Sequence, residues 1–415
     1  MDFRYFDHEV AAILAAEEIR QRDTLMMIPS ENYMSQAVTA AQATVFGNKY
    51  AEGTPGTRYY NGCINMDAIE RLAIARAQQL FGAEYANVQP LSGAQMNMAV
   101  YHALLQPGDT VMALDLNQGG HLTHGSDVNF SGRLYHFVHY GVDPESEHLD
   151  LTQIAEQARA VRPKLIVTGA TAYPRLWDFA GFRAIADEVG AYLMADVSHI
   201  AGLIVAGQHP DPVPHCDVVT TTTQKTLRGP RSGLILCREP LGPRIDKGVF
   251  PGTQGGPHMH TILAKAVAFK EAMTEGFQAL QHRTVENARA LAKVLIDHGL
   301  RLVSGGTDNH LMLVDLRPLH LTGKVAANLL EEAGIVVNKN TIPYDPKPPA
   351  ICSGIRLGTP ALSTRGMGST EMEYIGMWID EALRHPDDAR WRARIADAVR
   401  SLCTRFPLDA ETPGR

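Results

Sequence analysis

Cysteine is sparse and unpaired in this sequence. Five residues (Cys63, Cys216, Cys237, Cys352 and Cys403) are scattered over 415, and none stands in a Cys-x-x-Cys pair. That pattern argues against a disulfide framework and against a cysteine zinc site, and it fits reduced thiols in a cytoplasmic protein. Basic residues show no excess: 38 Lys and Arg face 45 Asp and Glu, for a net charge of -7. Nothing in that balance points to nucleic acid or an anionic membrane as a partner. No run of about 18 apolar residues occurs, so no membrane span is expected. The N-terminal segment carries Asp7, Glu9, Glu17 and Glu18 in an amphipathic pattern, unlike a secretory signal or an acidic-poor transit peptide. Internal repeats and low-complexity tracts are missing as well.

What is present reads as a multidomain α/β chain. At roughly 150 residues per domain, the length implies two or three domains. Val10, Ile13 and Leu14 recur at helical spacing between Asp7 and Asp23. A Gly- and Tyr-rich stretch follows, Ser30 to Asn61, with little periodicity; its tyrosines (Tyr33, Tyr50, Tyr59, Tyr60) argue against disorder. A helix is expected over Met66–Phe81, with Gly82 ending it. The apolar runs Thr110–Leu114, Lys164–Thr168, Tyr192–Ala195, Val218–Thr221 and Leu234–Cys237 read as buried strands separated by helices. That alternation predicts a mostly parallel sheet covered on both faces. Beyond a helical stretch from about residue 258 to Gly299, Arg301–Val303, Leu311–Leu316 and Ile335–Val337 read as strands of a smaller α+β domain, with Thr322 as a helix cap. The expected division is 1–50 as an N-terminal helix and arm, 51–275 as the large domain and 276–415 as the small one.

The chemistry concentrates at strand ends. In Val218-Val219-Thr220-Thr221-Thr222-Thr223-Gln224-Lys225, one lysine enters a turn bounded by Gly229, Pro230 and Gly233. A lysine amine there can condense with an aldehyde cofactor to an imine, once desolvation or a nearby cation lowers its pKa; a solvated hairpin lysine is the plainer alternative. Asp196 closes the run Tyr192–Ala195, where ligands of open α/β sheets bind. It suits a protonated pyridine nitrogen, which keeps the ring an electron sink, or else it caps a helix. Ser92-Gly93-Ala94-Gln95 opens a helix whose amides suit a phosphate. Phe250-Pro251-Gly252-Thr253-Gln254-Gly255-Gly256 offers further amides or is a plain turn. His121, among glycines, could stack on a flat ring or be structural. Arg356, in a strand-like context, suits a carboxylate or a structural ion pair. No metal is expected.

Together these pieces resemble the serine hydroxymethyltransferase family of fold-type I pyridoxal-phosphate enzymes. The resemblance spans Pro29-Ser30-Glu31-Asn32-Tyr33, Asn48-Lys49-Tyr50-Ala51-Glu52-Gly53, Arg58-Tyr59-Tyr60, Gly119-Gly120-His121-Leu122-Thr123-His124-Gly125, the lysine segment, Ser304 to His310, Asn338-Lys339-Asn340 and Ser353-Gly354-Ile355-Arg356. It implies a large domain with a mostly parallel seven-stranded sheet and a smaller C-terminal α+β domain. It implies pyridoxal 5'-phosphate as cofactor, bound as a Schiff base on Lys225, and tetrahydrofolate as co-substrate. Asp196 would pair with the pyridine nitrogen and His121 would stack on the ring. Ser92, Gly93 and Ala94 would hold the phosphate, with Gly255 and Gly256 from a second subunit, and Thr171 and His199 would complete the cofactor site. Ser30 and Arg356 would grip the amino-acid carboxylate, and Tyr50 and Tyr60 would line the same site. Glu52, from the neighbouring subunit, would act as acid and base. Leu116, Gly120, Leu122 and Asn340 would contact the folate with Glu52. A homodimer or a tetramer, with shared active sites, follows, and the Tyr-rich stretch becomes an interface element.

Five positions depart from the family pattern. Gln224 replaces the usual His before the lysine, Ala94 a Ser of the phosphate loop, Thr171 a Ser, Ser198 an Ala and Pro29 an Ala. They cluster around the cofactor rather than scatter. Transfer of the hydroxymethyl group from L-serine, giving glycine and methylenetetrahydrofolate, is the main expectation. The same reaction on α-methylserine, giving alanine, is the first alternative. A threonine-dependent transaldolase or aldolase, an aminotransferase and a non-catalytic pyridoxal-phosphate-binding homologue stand behind it.

Overall fold

Seven short segments build one sheet: β1 (Tyr85–Asn87), β2 (Thr110–Leu114), β3 (His136–Tyr140), β4 (Leu165–Thr168), β5 (Tyr192–Asp196), β6 (Val218–Thr222) and β7 (Gly233–Cys237). Their order across the sheet is β1-β7-β6-β5-β4-β2-β3. All neighbours run parallel except β7, which is antiparallel to both β1 and β6. The five strands expected from apolar runs appear within a residue of their limits, because both faces are covered and their residues are almost all buried. The two edge strands carried no such signal: β1 is three residues long, and β3 reads His-Phe-Val-His-Tyr with only Tyr140 buried.

This computed structural model describes residues 3–408, and the outermost residues of the expected terminal segments lie outside it. The chain divides into two compact units: residues 34–285 form the larger, and the segment up to Tyr33 with residues from 286 onward forms the smaller. In the larger unit, the helix Ile64–Phe81 buries Met66, Ala73, Ala77 and Phe81, and Gly82 ends it at φ 65°. The Tyr-rich stretch is more regular than its sequence indicated. It contains a helix, Gln36–Gln42, capped by Ser35, and a 3-10 turn, Val45–Asn48. Val38 and Ala41 supply its short apolar face, packed with Ala264 and Ala268.

The smaller unit holds an antiparallel sheet of β8 (Arg301–Leu302), β9 (Leu311–Asp315), β10 (Asn338–Asn340) and β11 (Gly354–Gly358), ordered β10-β11-β9-β8. Beside it, Leu25–Met26 pairs in parallel with Ile335–Val336. The N-terminal helix, His8–Asp23, is capped by Asp7, whose side chain accepts from the N–H of Val10 at 3.1 Å. None of its residues is buried; Val10, Ile13 and Ile19 are 47%, 72% and 50% exposed, so its apolar positions are uncovered in the single chain.

Topology sets the site. β5 and β6 are adjacent and parallel, with Asp196 opposite Thr220. β1 runs against β7, which runs against β6. The C-terminal ends of β1, β5 and β6 therefore share one edge, and the segments carrying Ser92, Asp196 and Lys225 all leave the sheet there.

Candidate active site

Lys225 lies on the turn that leaves β6. The N–H of Gly229 donates to the Thr223 carbonyl at 2.7 Å, and the N–H of Thr223 to the Ser232 carbonyl at 3.1 Å. Gln281 Nε2 braces the far side through the Thr226 carbonyl at 2.8 Å. With its backbone held, half-buried Lys225 donates from Nζ to Thr222 Oγ1 at 2.9 Å. A cavity opens at this point. Gly93, His121, Thr171, Asp196, His199 and Lys225 line it together, and His124, Ala170, Ser198 and Thr222 complete the wall.

Asp196 is the electrostatic centre of that cavity. One oxygen, Oδ1, accepts from Ser198 Oγ at 2.6 Å and Ser198 N–H at 3.1 Å. The other, Oδ2, accepts from Asn97 Nδ2 at 2.8 Å and His124 Nε2 at 3.3 Å. Burial alone would raise its pKa. The hydrogen bonds from His124 and the Ser198 hydroxyl instead hold it well below the usual carboxylate range. An ionised, buried carboxylate here favours a cationic partner. The imidazoles are oriented by backbone: His124 Nδ1 accepts the N–H of His121 at 3.2 Å, which leaves Nε2–H for Asp196. His121 Nδ1 accepts the N–H of Thr123 at 3.2 Å. Burial pushes His121 down to about 4 although the Asp196 carboxylate opposes this, so its ring is neutral at neutral pH. Ligand atoms of His121, His124 and Asp196 lie within 4.8 Å of one another; the hydrogen bonds among them orient the carboxylate.

The Ser92-Gly93 turn forms the adjoining wall. Ser92 caps the helix Gly93–Leu104, its Oγ accepting from the N–H of Gln95 at 3.3 Å. A Cβ at Gly93 would stand 2.7 Å from Thr222 Cγ2, so only glycine lets this turn approach the lysine strand. Ser92 and Ala94 are exposed beside the cavity. Gly120 is also backbone-constrained, since a Cβ there would overlap the carbonyls of Leu114 and Asp115. It follows half-buried Leu116 and precedes Leu122, which is 47% exposed.

A second cluster contains none of these cavity-lining residues. Tyr50 and Tyr60 meet edge to face at 5.5 Å. A Cβ at Gly255 would stand 3.1 Å from Glu52 Oε1, and one at Gly256 would stand 3.2 Å from the Tyr50 ring. The charge of Glu52, with some burial, raises the Tyr60 phenol. Arg58 holds the turn that carries Glu52: Nη1 donates to the carbonyls of Ala51 at 2.9 Å and Gly53 at 2.7 Å. Its other nitrogens reach Asp67 at 2.8 Å and Glu70 at 2.5 Å.

In the smaller unit, Arg356 lies on β11 between Leu313 of β9 and Asn338 of β10. Its Nε donates to Asn338 Oδ1 at 3.1 Å, and burial pushes the guanidinium down to about 10. Ser30 sits on the turn beside the end of this strand: the N–H of Gly358 donates to the Met27 carbonyl at 2.8 Å, and a Cβ at Gly358 would meet Pro29 at 2.7 Å. Asn340 ends β10, its Nδ2 bound to the Thr341 carbonyl at 2.7 Å.

Sequence reasoning missed Asn97 and passed over His124 and Thr222. Asn97 is fully buried and joins Asp196, Thr123 Oγ1 at 2.8 Å and Thr220 Oγ1 at 2.9 Å. Its signal was an amide on the apolar face of Met96-Asn97-Met98-Ala99-Val100.

Comparison with known proteins agrees with this architecture. The family model for serine hydroxymethyltransferase matches residues 3–379. A serine hydroxymethyltransferase of Synechococcus sp. (strain JA-3-3Ab) is 58% identical over 415 aligned positions, covering 97% of this chain and 96% of the relative. Another, from Rippkaea orientalis (strain PCC 8801 / RF-1), is 57% identical over 406, covering 97% and 96%. With matches of this extent, the chain belongs to the serine hydroxymethyltransferase family, whose fold is that of the fold-type I pyridoxal-phosphate enzymes.

Proposed function

We propose that this protein transfers the hydroxymethyl group of L-serine to tetrahydrofolate, giving glycine, 5,10-methylenetetrahydrofolate and water, and that the reaction is reversible. The family depends on pyridoxal phosphate and uses tetrahydrofolate as co-substrate. One observation carries the reading: Lys225, an ionised buried Asp196, a neutral His121 and the Gly93 turn line one cavity. These residues fit the cofactor. Lys225 would bond its aldehyde carbon, Asp196 would hold the proton of its ring nitrogen, His121 would cover its ring, and Ser92, Gly93 and Ala94 would face its phosphate, with Thr171 and His199 completing the wall. When bound, the cofactor supplies an electron sink for charge developing at the amino acid's Cα. Arg356 and Ser30 would fix the substrate carboxylate, and a bidentate guanidinium suits that task. Glu52 would take the proton of the hydroxymethyl oxygen as the Cα–Cβ bond breaks, with Tyr50 and Tyr60 beside it. Leu116, Gly120, Leu122 and Asn340 would seat the folate that receives the one-carbon unit.

We further propose a homodimer in which Glu52, Gly255 and Gly256 serve the partner's cavity, and a cytoplasmic location. Two features support the dimer: none of these residues lines its own chain's cavity, and Tyr59, Ile64 and Val45 are 73%, 80% and 77% exposed. Five buried, unpaired thiols support the location. α-Methylserine is a second reading, favoured because Thr171 and Ser198, two of the family departures, both line the cavity. A tetrahydrofolate-dependent assay across L-serine, both α-methylserine enantiomers and L-threonine tests both. Turnover of L-serine to glycine is expected. Turnover of α-methylserine alone would replace the first reading with the second, and folate-independent cleavage alone would defeat both.

A further inference from the structure

Lys265 is the one lysine with no exposed surface among the described residues, and none of the chemistry above uses it. It projects from the helix Met259–Ala272. Its Nζ donates to the carbonyls of Val88 at 2.6 Å, Gly233 at 2.6 Å and Pro90 at 3.4 Å. Three N–H donors thus meet three neutral carbonyls. Burial pushes the ammonium down to about 7, and the charge of Glu70 opposes that.

The location explains the carbonyls. The β1–β7 ladder ends at Asn87 opposite Ile235. Beyond that pair β1 leaves the sheet and turns toward Ser92, so the two strands fork. Lys265 fills the fork, taking the carbonyls of Val88 and Gly233 on its two sides. Pro90 is held there as well, its carbonyl accepting from Gly233 N–H at 3.1 Å and Ser232 Oγ at 2.7 Å. Gly233 in turn lies under the next turn, since a Cβ there would stand 2.8 Å from the Ser92 carbonyl. Converging backbone carbonyls around a desolvated monovalent cation are the same chemistry that holds potassium in carbonyl-lined sites.

We propose that Lys265 is a tethered cation that closes the β1–β7 fork and thereby positions the Ser92-Gly93 turn for the cofactor phosphate; this rests on the cofactor reading given above. The test uses the full-length protein with Lys265→Met and Lys265→Ala. Affinity is measured for pyridoxal phosphate and for pyridoxal, which lacks the phosphate. Amide hydrogen exchange is followed over residues 91–96 without cofactor. Loss of charge-assisted bonds predicts a dissociation constant for pyridoxal phosphate raised about tenfold or more, with pyridoxal little changed. Exchange at residues 91–96 should quicken in step. Ammonium or potassium chloride should restore both properties in Lys265→Ala, where tetramethylammonium chloride at equal ionic strength does not. Equal weakening of both ligands, unchanged exchange, or a Lys265→Ala protein that stays unfolded in ammonium would overturn the proposal. The exchange readout needs no cofactor, so it decides the positioning role even if the wild type takes up no pyridoxal phosphate, a result that would sink the cofactor reading alone.

Discussion

Replacing Arg58 with Met should destabilise the larger unit by an amount that shrinks as pH falls. The guanidinium joins Asp67 and Glu70 with side-chain exposures of 4%, 14% and 2%. Arg58→Met leaves Glu70 with Gln89 Nε2 at 2.7 Å as its remaining hydrogen bond. Removing one partner of a buried pair costs about 3–5 kcal/mol. In the wild type, burial already raises Glu70 above its usual 4.5 although Arg58 opposes this. Without Arg58 the folded-state pKa rises further, so the fold binds a proton that the unfolded chain has lost. Stability therefore falls as pH climbs from 4.5 through that folded value, by up to about 1.4 kcal/mol per pH unit. Asp67 adds the same sign. Burial would raise it, but the Arg58 bond and the Gly56 N–H hold it low, and the stability this lends the wild type is present above its unfolded pKa and lost as pH falls. Urea unfolding at pH 7.5 and pH 5 should show a large deficit narrowing to a small one. Adding Glu70→Gln to the variant should recover about 1 kcal/mol or more at pH 7.5. A deficit below about 1 kcal/mol at pH 7.5, or one equal at both pH values, would refute the reasoning.

Lys225→Ala should abolish the visible absorption of lysine-bound cofactor and all turnover, while noncovalent retention of pyridoxal phosphate, read by its fluorescence after dialysis, should persist. Arg356→Ala should lower kcat/KM for the amino acid by the equivalent of about 2–5 kcal/mol and leave the cofactor spectrum unchanged; an unaltered kcat/KM would remove Arg356 from the substrate site. Ser198→Ala deletes the 2.6 Å bond to Asp196 and the acceptor of the Thr222 N–H at 3.1 Å. It should destabilise the fold by about 1–3 kcal/mol and shift the pH at which the bound cofactor's absorbance titrates; a spectrum that titrates identically would show that the hydroxyl does not tune Asp196.

Much of this fold was legible because burial on two faces writes itself into composition. β2, β4, β5, β6 and β7 are continuous apolar or threonine-rich runs, and their positions follow from that alone. β1 and β3 lie at the edges and had too few buried positions to register. The N-terminal helix shows the converse error of a correct pattern with an unidentified partner. Its apolar spacing was plain, yet Ile13 is 72% exposed, because periodicity reports that a face is apolar and not what covers it.

The site divides along the same line. Lys225 and Asp196 were readable because each sits just past a recognisable strand, and parallel topology brings such positions to one edge. The residues that condition them were not. Asn97 lies 99 positions from Asp196 and 123 from Thr220, and both contacts depend on a helix packed over β6 and β7 whose amide reaches the end of β5. Lys265 binds backbone carbonyls, and Arg58 binds two of them beside its carboxylates; every residue possesses a carbonyl, so these partners leave no trace in side-chain identity. A buried polar residue must be satisfied somewhere, and that rule flags Asn97 or Lys265 as needing a partner without naming it. The reactive groups of this site are thus encoded locally, while the network that sets their charge and aim is encoded in the crossing of elements.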